Sequence, residues 1–200
     1  NMPSGESFVR QILLGKGYFK EKFGVEPETA SNLDPFGHTR GLVQILARSG
    51  YKGYLFCRPD PKRLPLPSDE FVWTGADGSE ILAVRAEAHY NSRGGRARVK
   101  IEEWIRNHPG RELSLVLWGI GNHGGGPSKK DLKDLRDLSS SAKHVDIFHS
   151  TADAYIRELG KKRASLPRVS TGLNPWAPGC YSSMARVKRE HRDLENDLYS

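Results

Sequence analysis

Cysteine is scarce in this chain: Cys57 and Cys180 are the two present in 200 residues, and no second cysteine stands near either at metal-ligand spacing. That excludes a disulfide scaffold and a cysteine-based zinc finger and leaves two free thiols. Long apolar runs are missing too. None approaches the roughly 20 residues that cross a bilayer, so no membrane partner is expected. The opening Asn1-Met2-Pro3-Ser4-Gly5-Glu6 lacks the basic-then-apolar profile of a signal peptide. With the unpaired cysteines this favours a cytoplasmic location, while a start further upstream would leave secretion open. Charge of one sign does not dominate: 31 Lys and Arg against 24 Asp and Glu give +7. The cations are scattered, and the densest patches, Lys161-Lys162-Arg163 and Arg93 to Lys100, lack interleaved aromatics, so no nucleic-acid partner is expected. Internal repeats and low-complexity segments are absent. What remains, 36% apolar and 28% charged residues, is the balance of a globular domain with one good-sized core.

Periodicity organises the chain. Phe8, Ile12, Leu13, Phe19 and Phe23 recur at helical intervals, with a break expected near Gly15 and Gly17. A short strand follows over 29–33, a helix over 38–49 and a buried strand over 54–57. Further strands are expected over 80–84, 113–118 and 145–148, and helices over 99–107, 128–138 and 152–159. Such alternation predicts an α/β domain with a largely parallel sheet. Beyond Leu166 the turn-rich Leu173-Asn174-Pro175-Trp176-Ala177-Pro178-Gly179 reads as a boundary. A helix from Ser182 onward then carries the stripe Met184, Val187, His191, Leu194 and Leu198, which asks for a partner. The expected division is 1–172 for the α/β domain and 173–200 for a linker and the first helix of a following helical region.

Asp34 ends a predicted strand, and the carboxyl edge of a parallel sheet is where ligands and catalytic groups gather. A helix cap is the competing reading, and spacing alone does not decide between them. Around it stand Asn32-Leu33-Asp34-Pro35-Phe36-Gly37-His38, Leu42-Val43-Gln44-Ile45-Leu46 and Ser49-Gly50-Tyr51. Later come Phe56-Cys57-Arg58-Pro59, Trp73 to Ser79, Gly119-Ile120-Gly121-Asn122-His123-Gly124-Gly125-Gly126-Pro127 and Gly179-Cys180-Tyr181-Ser182-Ser183 with Lys188-Arg189. In this order the blocks resemble those of the α-mannosidases of glycoside hydrolase family 38, across nearly the whole chain.

The resemblance implies a β/α, barrel-like catalytic domain missing its N-terminal portion and running into a helical bundle. It also implies a retaining, zinc-dependent exo-α-mannosidase acting on glycans or small mannosides. In that reading Asp34 is both the nucleophile and a zinc ligand. The family's other ligands, a His-x-Asp pair and a His-Asp pair, are not found here and are expected outside this chain, so the segment alone should be inactive. Phe36 resembles the aromatic lining the mannose subsite, against a role as a core anchor. Arg58 lies 24 residues after Asp34 and resembles the arginine beside the nucleophile, against a surface ion pair. His38 is a structural histidine. Where the family has an aspartate as general acid, this chain has Asn122 and His123. His123 could give a proton and Asn122 could only bind sugar, with an Asp elsewhere, or a loop that merely binds sugar, as alternatives. Tyr90 and the turn from Trp176 to Tyr181 are further candidates for sugar contacts, against plain packing. The remaining domains of the parent chain are expected partners, and a homo-oligomer is left open. A carbohydrate-binding pseudoenzyme that has lost its acid is the rival to catalysis.

Overall fold

The computed structural model describes residues 3–86, 88–121 and 125–200. Helix α1 (Gly5–Phe23) starts at Ser4, whose hydroxyl accepts the Ser7 N–H, and stops at Gly24 in the left-handed region at φ 69°. It passes through Gly15 and Gly17 without the expected break. A side chain at either position would meet nothing. The propensity cost of about 1 kcal/mol per glycine is offset by the caps and by Phe8 and Ile12 packing on the core.

Five strands follow: β1 (Thr29–Ser31), β2 (Gly53–Phe56), β3 (Glu70–Thr74), β4 (Glu80–Arg85) and β5 (Arg168–Val169). They form one sheet in the order β1-β2-β4-β3-β5. The β1–β2, β2–β4 and β3–β5 pairings are parallel and β3–β4 is antiparallel, so the sheet is mixed but mostly parallel, as the alternation predicted. The sequence reading missed β3. Its Phe71-Val72-Trp73 is fully buried and joins β4 through a turn in which Gly75 N–H reaches Ser79 O, with Asp77-Gly78 as the hairpin signal.

Both faces of the sheet are covered, which is why its central strands read as unbroken apolar runs. Tyr54, Phe56, Phe71, Trp73 and Ile81 face Leu42, Val43 and Leu46 of α2 (Gly41–Arg48). Leu55, Cys57, Val72, Leu82 and Val84 face Tyr155, Ile156 and Leu159 of α5 (Ala152–Gly160). At Gly53 the approach is so close that a Cβ would lie 2.5 Å from Ile156. A third cluster joins α3 (Ala97–Asn107) to α4 (Lys129–Ser141) through Ala97, Ile101, Leu135 and Leu138. Asp131, fully buried, accepts from Gly95 N–H, Ala97 N–H and Ser128 Oγ–H and so fastens the start of α3 to α4.

Two expected strands are corrected. Residues 113–118 and 145–148 are not strands. Leu113, Leu115 and Leu117 point at the α5 cluster while Val116 and Trp118 point at the α3–α4 cluster, and Ile147 joins the latter. The period-two pattern is satisfied by packing between two apolar layers, without strand pairing among the described residues. At the end of the chain, α6 (Gly179–Ser182) and α7 (Ala185–Tyr199) follow the turn-rich segment. Glu195 of α7 accepts from Ser4 N–H and Ser7 Oγ–H at the head of α1. Val187, Leu194 and Leu198 are exposed. No helix among the described residues is long and apolar enough to cross a membrane.

Candidate active site

Hydrogen bonds carry the parallel strands β1, β2 and β4 past their formal ends. Asn32 N–H donates to Leu55 O, Cys57 N–H to Leu33 O and Ala86 N–H to Phe56 O. The chain ends beyond them bring Asp34, Arg58 and His89 together at one edge. Arg58 Nε stands 3.0 Å from Asp34 Oδ1, and its N–H donates to His89 Nε2 at 3.3 Å. His89 Nε2 is itself 3.4 Å from Asp34 Oδ1. The Asp34 side chain is 51% exposed, so a carboxylate fixed by a guanidinium still faces solvent. Burial, and next the Arg58 cation, lower the pKa of His89, with Asp34 opposing them.

The turn after Asp34 is built on buried contacts. His38 is fully buried. Its Nε2–H donates to Arg58 O at 2.7 Å and its Nδ1 accepts from Tyr54 Oη at 2.6 Å, which fixes one neutral tautomer. Burial pushes its pKa down to about 4. The expectation of a structural histidine holds, and its ring carries the carbonyl of the arginine that meets Asp34. His38 and Leu173 exchange backbone bonds at 3.0 and 2.9 Å. Gly37 sits so close to this junction that a Cβ would fall 2.4 Å from Asn174 Cα, which is why glycine stands in the motif. Phe36 packs edge-on against Trp176 with centroids 4.8 Å apart. Trp176 also carries Arg63 over its ring at 4.3 Å and Arg58 at 5.6 Å.

A cavity of about 400 Å³ opens beside this cluster, lined by Cys57, Arg58, Arg63, Arg85, His89 and Trp176 among others. Arg85 is buried and bonds to Asp69, to Pro59 O and to Leu64 O, which folds the chain after Arg58 around the cavity. Burial raises the pKa of Cys57 to about 12, so its thiol is inert near neutrality. Behind His89, Lys100 donates to the carbonyls of His89, Asn91 and Leu117 at 2.8, 3.0 and 2.6 Å. Burial brings its pKa down to about 8, while the three carbonyls engage all of its donors.

Asp34, Phe36 and Arg58 thus share one edge. Tyr90 is adjacent, its ring 4.3 Å from that of His89 and packed against the α5 cluster. Asn122 and His123 lie outside the described residues. The flanks of their loop close on themselves through Ile120 N–H to Gly126 O and Gly125 N–H to Gly121 O, next to Ser92, whose N–H donates to Gly119 O. His89, Arg85 and Lys100 were not singled out from the sequence. Asp34 follows its predicted strand directly, whereas His89 lies five residues beyond the strand expected over 80–84, too far for the same signal to single it out.

Among the described residues no three His, Cys, Asp or Glu side chains converge as a metal site. One carboxylate with one imidazole falls short of the four ligands zinc takes, so these residues alone do not fit a zinc ion.

Comparisons with known proteins agree with the family resemblance. Alpha-mannosidase G of Dictyostelium discoideum is 29% identical over the whole chain, which spans 19% of that protein. Alpha-mannosidase 2C1 of Mus musculus is also 29% identical over the whole chain, which covers 20% of its length. The crystal structure of an alpha-mannosidase from Enterococcus faecalis V583 superposes with a TM-score of 0.66 at 18% identity, over 86% of this chain and 20% of that one. The chain therefore spans about a fifth of the length of the relatives it matches. Residues 1–178 match the model of the glycosyl hydrolases family 38 N-terminal domain, and the chain belongs to that family.

Proposed function

We propose that this chain carries the nucleophile of a retaining exo-α-mannosidase that removes terminal α-linked mannose from glycans or small mannosides. The observation that carries the reading is Asp34, a half-exposed carboxylate at the carboxyl edge of β1, oriented by Arg58 at 3.0 Å. In the first step an Asp34 oxygen bonds to the anomeric carbon while the glycosidic oxygen leaves with its bonding pair and takes a proton from a general acid. In the second, water adds to the same carbon and gives up a proton to that group, and the ester bond breaks to restore the carboxylate. His123 is the proposed acid, with Asn122 and Tyr90 as sugar contacts. Phe36, braced by Trp176, offers an apolar face to the ring. Zinc in the whole enzyme would take Asp34 as one ligand and the rest from residues outside this chain, and when bound it would fix vicinal sugar hydroxyls.

The test uses the full-length protein with p-nitrophenyl α-mannoside, beside Asp34→Asn. Turnover lost in the variant, together with a mannosyl adduct on the Asp34 peptide when a fluorinated mannoside is the substrate, is the expected result. Undiminished hydrolysis by Asp34→Asn refutes the reading.

A further inference from the structure

The Asp34–Arg58 pair has a third member that the family motif does not account for. Arg58 Nε carries one hydrogen and faces two acceptors, Asp34 Oδ1 at 3.0 Å and His89 Nε2 at 3.3 Å. We propose that His89 is a positioning residue of this site: by accepting the Arg58 Nε–H it fixes the plane of the guanidinium, which in turn holds the Asp34 carboxylate. With Nε2 as acceptor the imidazole is the Nδ1–H tautomer.

The backbone supports the assignment independently of the ring contact. Ala88 and His89 both adopt left-handed conformations, with φ 56° and 64°. Two successive non-glycine residues rarely do so, and such strain persists where the surroundings impose it, often at a functional site. The surroundings here are identifiable. Lys100 Nζ bonds to the carbonyls of His89, Asn91 and Leu117 and clamps the loop from behind. A loop with no side chain to present would meet the same turn more cheaply with glycine. The arrangement trades backbone ease for the aim of one imidazole.

The inference rests on the proposed reading only for its catalytic consequence. In the full-length protein, His89→Ala is expected to lower kcat on p-nitrophenyl α-mannoside on the order of 10- to 100-fold, with KM nearly unchanged, because a loosened carboxylate is off line for attack. His89→Gln, whose amide oxygen can accept the same hydrogen, is expected to recover most of that loss. In an Arg58→Ala background the His89→Ala change should have no further effect. Unchanged kcat in His89→Ala, equal loss in His89→Gln, or losses that simply multiply with Arg58→Ala would each overturn the proposal. Should His89→Ala fail to fold, His89→Gln alone decides: kcat close to wild type supports the proposal and kcat as low as in Arg58→Ala overturns it. A wild-type protein that does not turn over the mannoside instead refutes the mannosidase reading. The labelling rate of Arg58 by phenylglyoxal, read by peptide mass, then tests His89: faster labelling in His89→Ala than in wild type supports its role, and equal rates overturn it.

Discussion

Acidification should loosen the sheet through one residue, His38. Its ring is fully buried between Tyr54 and the Arg58 carbonyl, and burial takes its pKa from 6.5 to about 4. The unfolded chain therefore binds more protons than the folded one between those two values, and stability must fall as pH falls through that window. His38's contribution is complete above about pH 6.5 and is lost towards pH 4, a total of about 3 kcal/mol. For openings that expose the ring, the fold-change is about 30 at pH 5 and about 150 at pH 4. Hydrogen exchange of the peptide covering Gly53–Phe56, corrected for the intrinsic pH dependence of exchange, reads this opening whatever the length of the protein carrying it. His38→Gln is the control, since an amide can donate to Arg58 O and accept from Tyr54 without titrating. Protection in wild type should drop relative to His38→Gln by these factors. Parallel pH profiles in the two proteins would refute the reasoning.

Three further outcomes follow from the geometry. Gly37→Ala should cost activity without touching substrate, because its methyl would meet Asn174 Cα at 2.4 Å and push Phe36 from Trp176; kcat/KM equal to wild type on p-nitrophenyl α-mannoside would count against it. Asp131→Ala leaves the buried Ala97 N–H, the part-buried Gly95 N–H and the Ser128 hydroxyl without their acceptor, a loss of about 2–4 kcal/mol, seen as faster exchange of the α3 amides with those of β4 unchanged. Iodoacetamide on the native protein should label exposed Cys180 and spare buried Cys57, whose pKa is held near 12, with both labelled after denaturation; early labelling of Cys57 would show that the cavity floor opens.

Local pattern made much of the fold legible. Helices α2 to α5 and strands β2 and β4 were readable because each carries its full period in its own residues: Leu42, Ile45 and Leu46 in one case, the run from Tyr54 to Cys57 in another. β3 was missed because its buried Phe71-Val72-Trp73 is an apolar run of only three residues behind a proline-rich stretch. The error at 113–118 has a different source. The nearly continuous apolar run from Leu113 to Trp118 fits a strand buried on both faces, but strand formation needs a neighbouring backbone as well as two apolar layers, and sequence spacing carries no information on that. Asp34, Phe36 and Arg58 were legible through their motifs. His89 was not, because its partners are set by sheet register and a loop reversal.

Register also explains why the interval between Asp34 and Arg58 carries meaning. β1 and β2 pair in parallel with Ser31 opposite Leu55, an offset of 24 residues. Asp34 and Arg58 are separated by the same 24 and so leave the sheet at one rank, where a short carboxylate and a longer guanidinium can meet. β2 and β4 pair with Leu55 opposite Val84, an offset of 29, which puts His89 two positions beyond the rank of Arg58. A chain continuing straight would carry the imidazole past the guanidinium. The left-handed pair Ala88 and His89 turns it back, and Lys100 secures the turned carbonyl. An inserted residue between β2 and Arg58, or a β4 loop relaxed by glycine at 88, would break the triad while leaving every motif intact in the sequence.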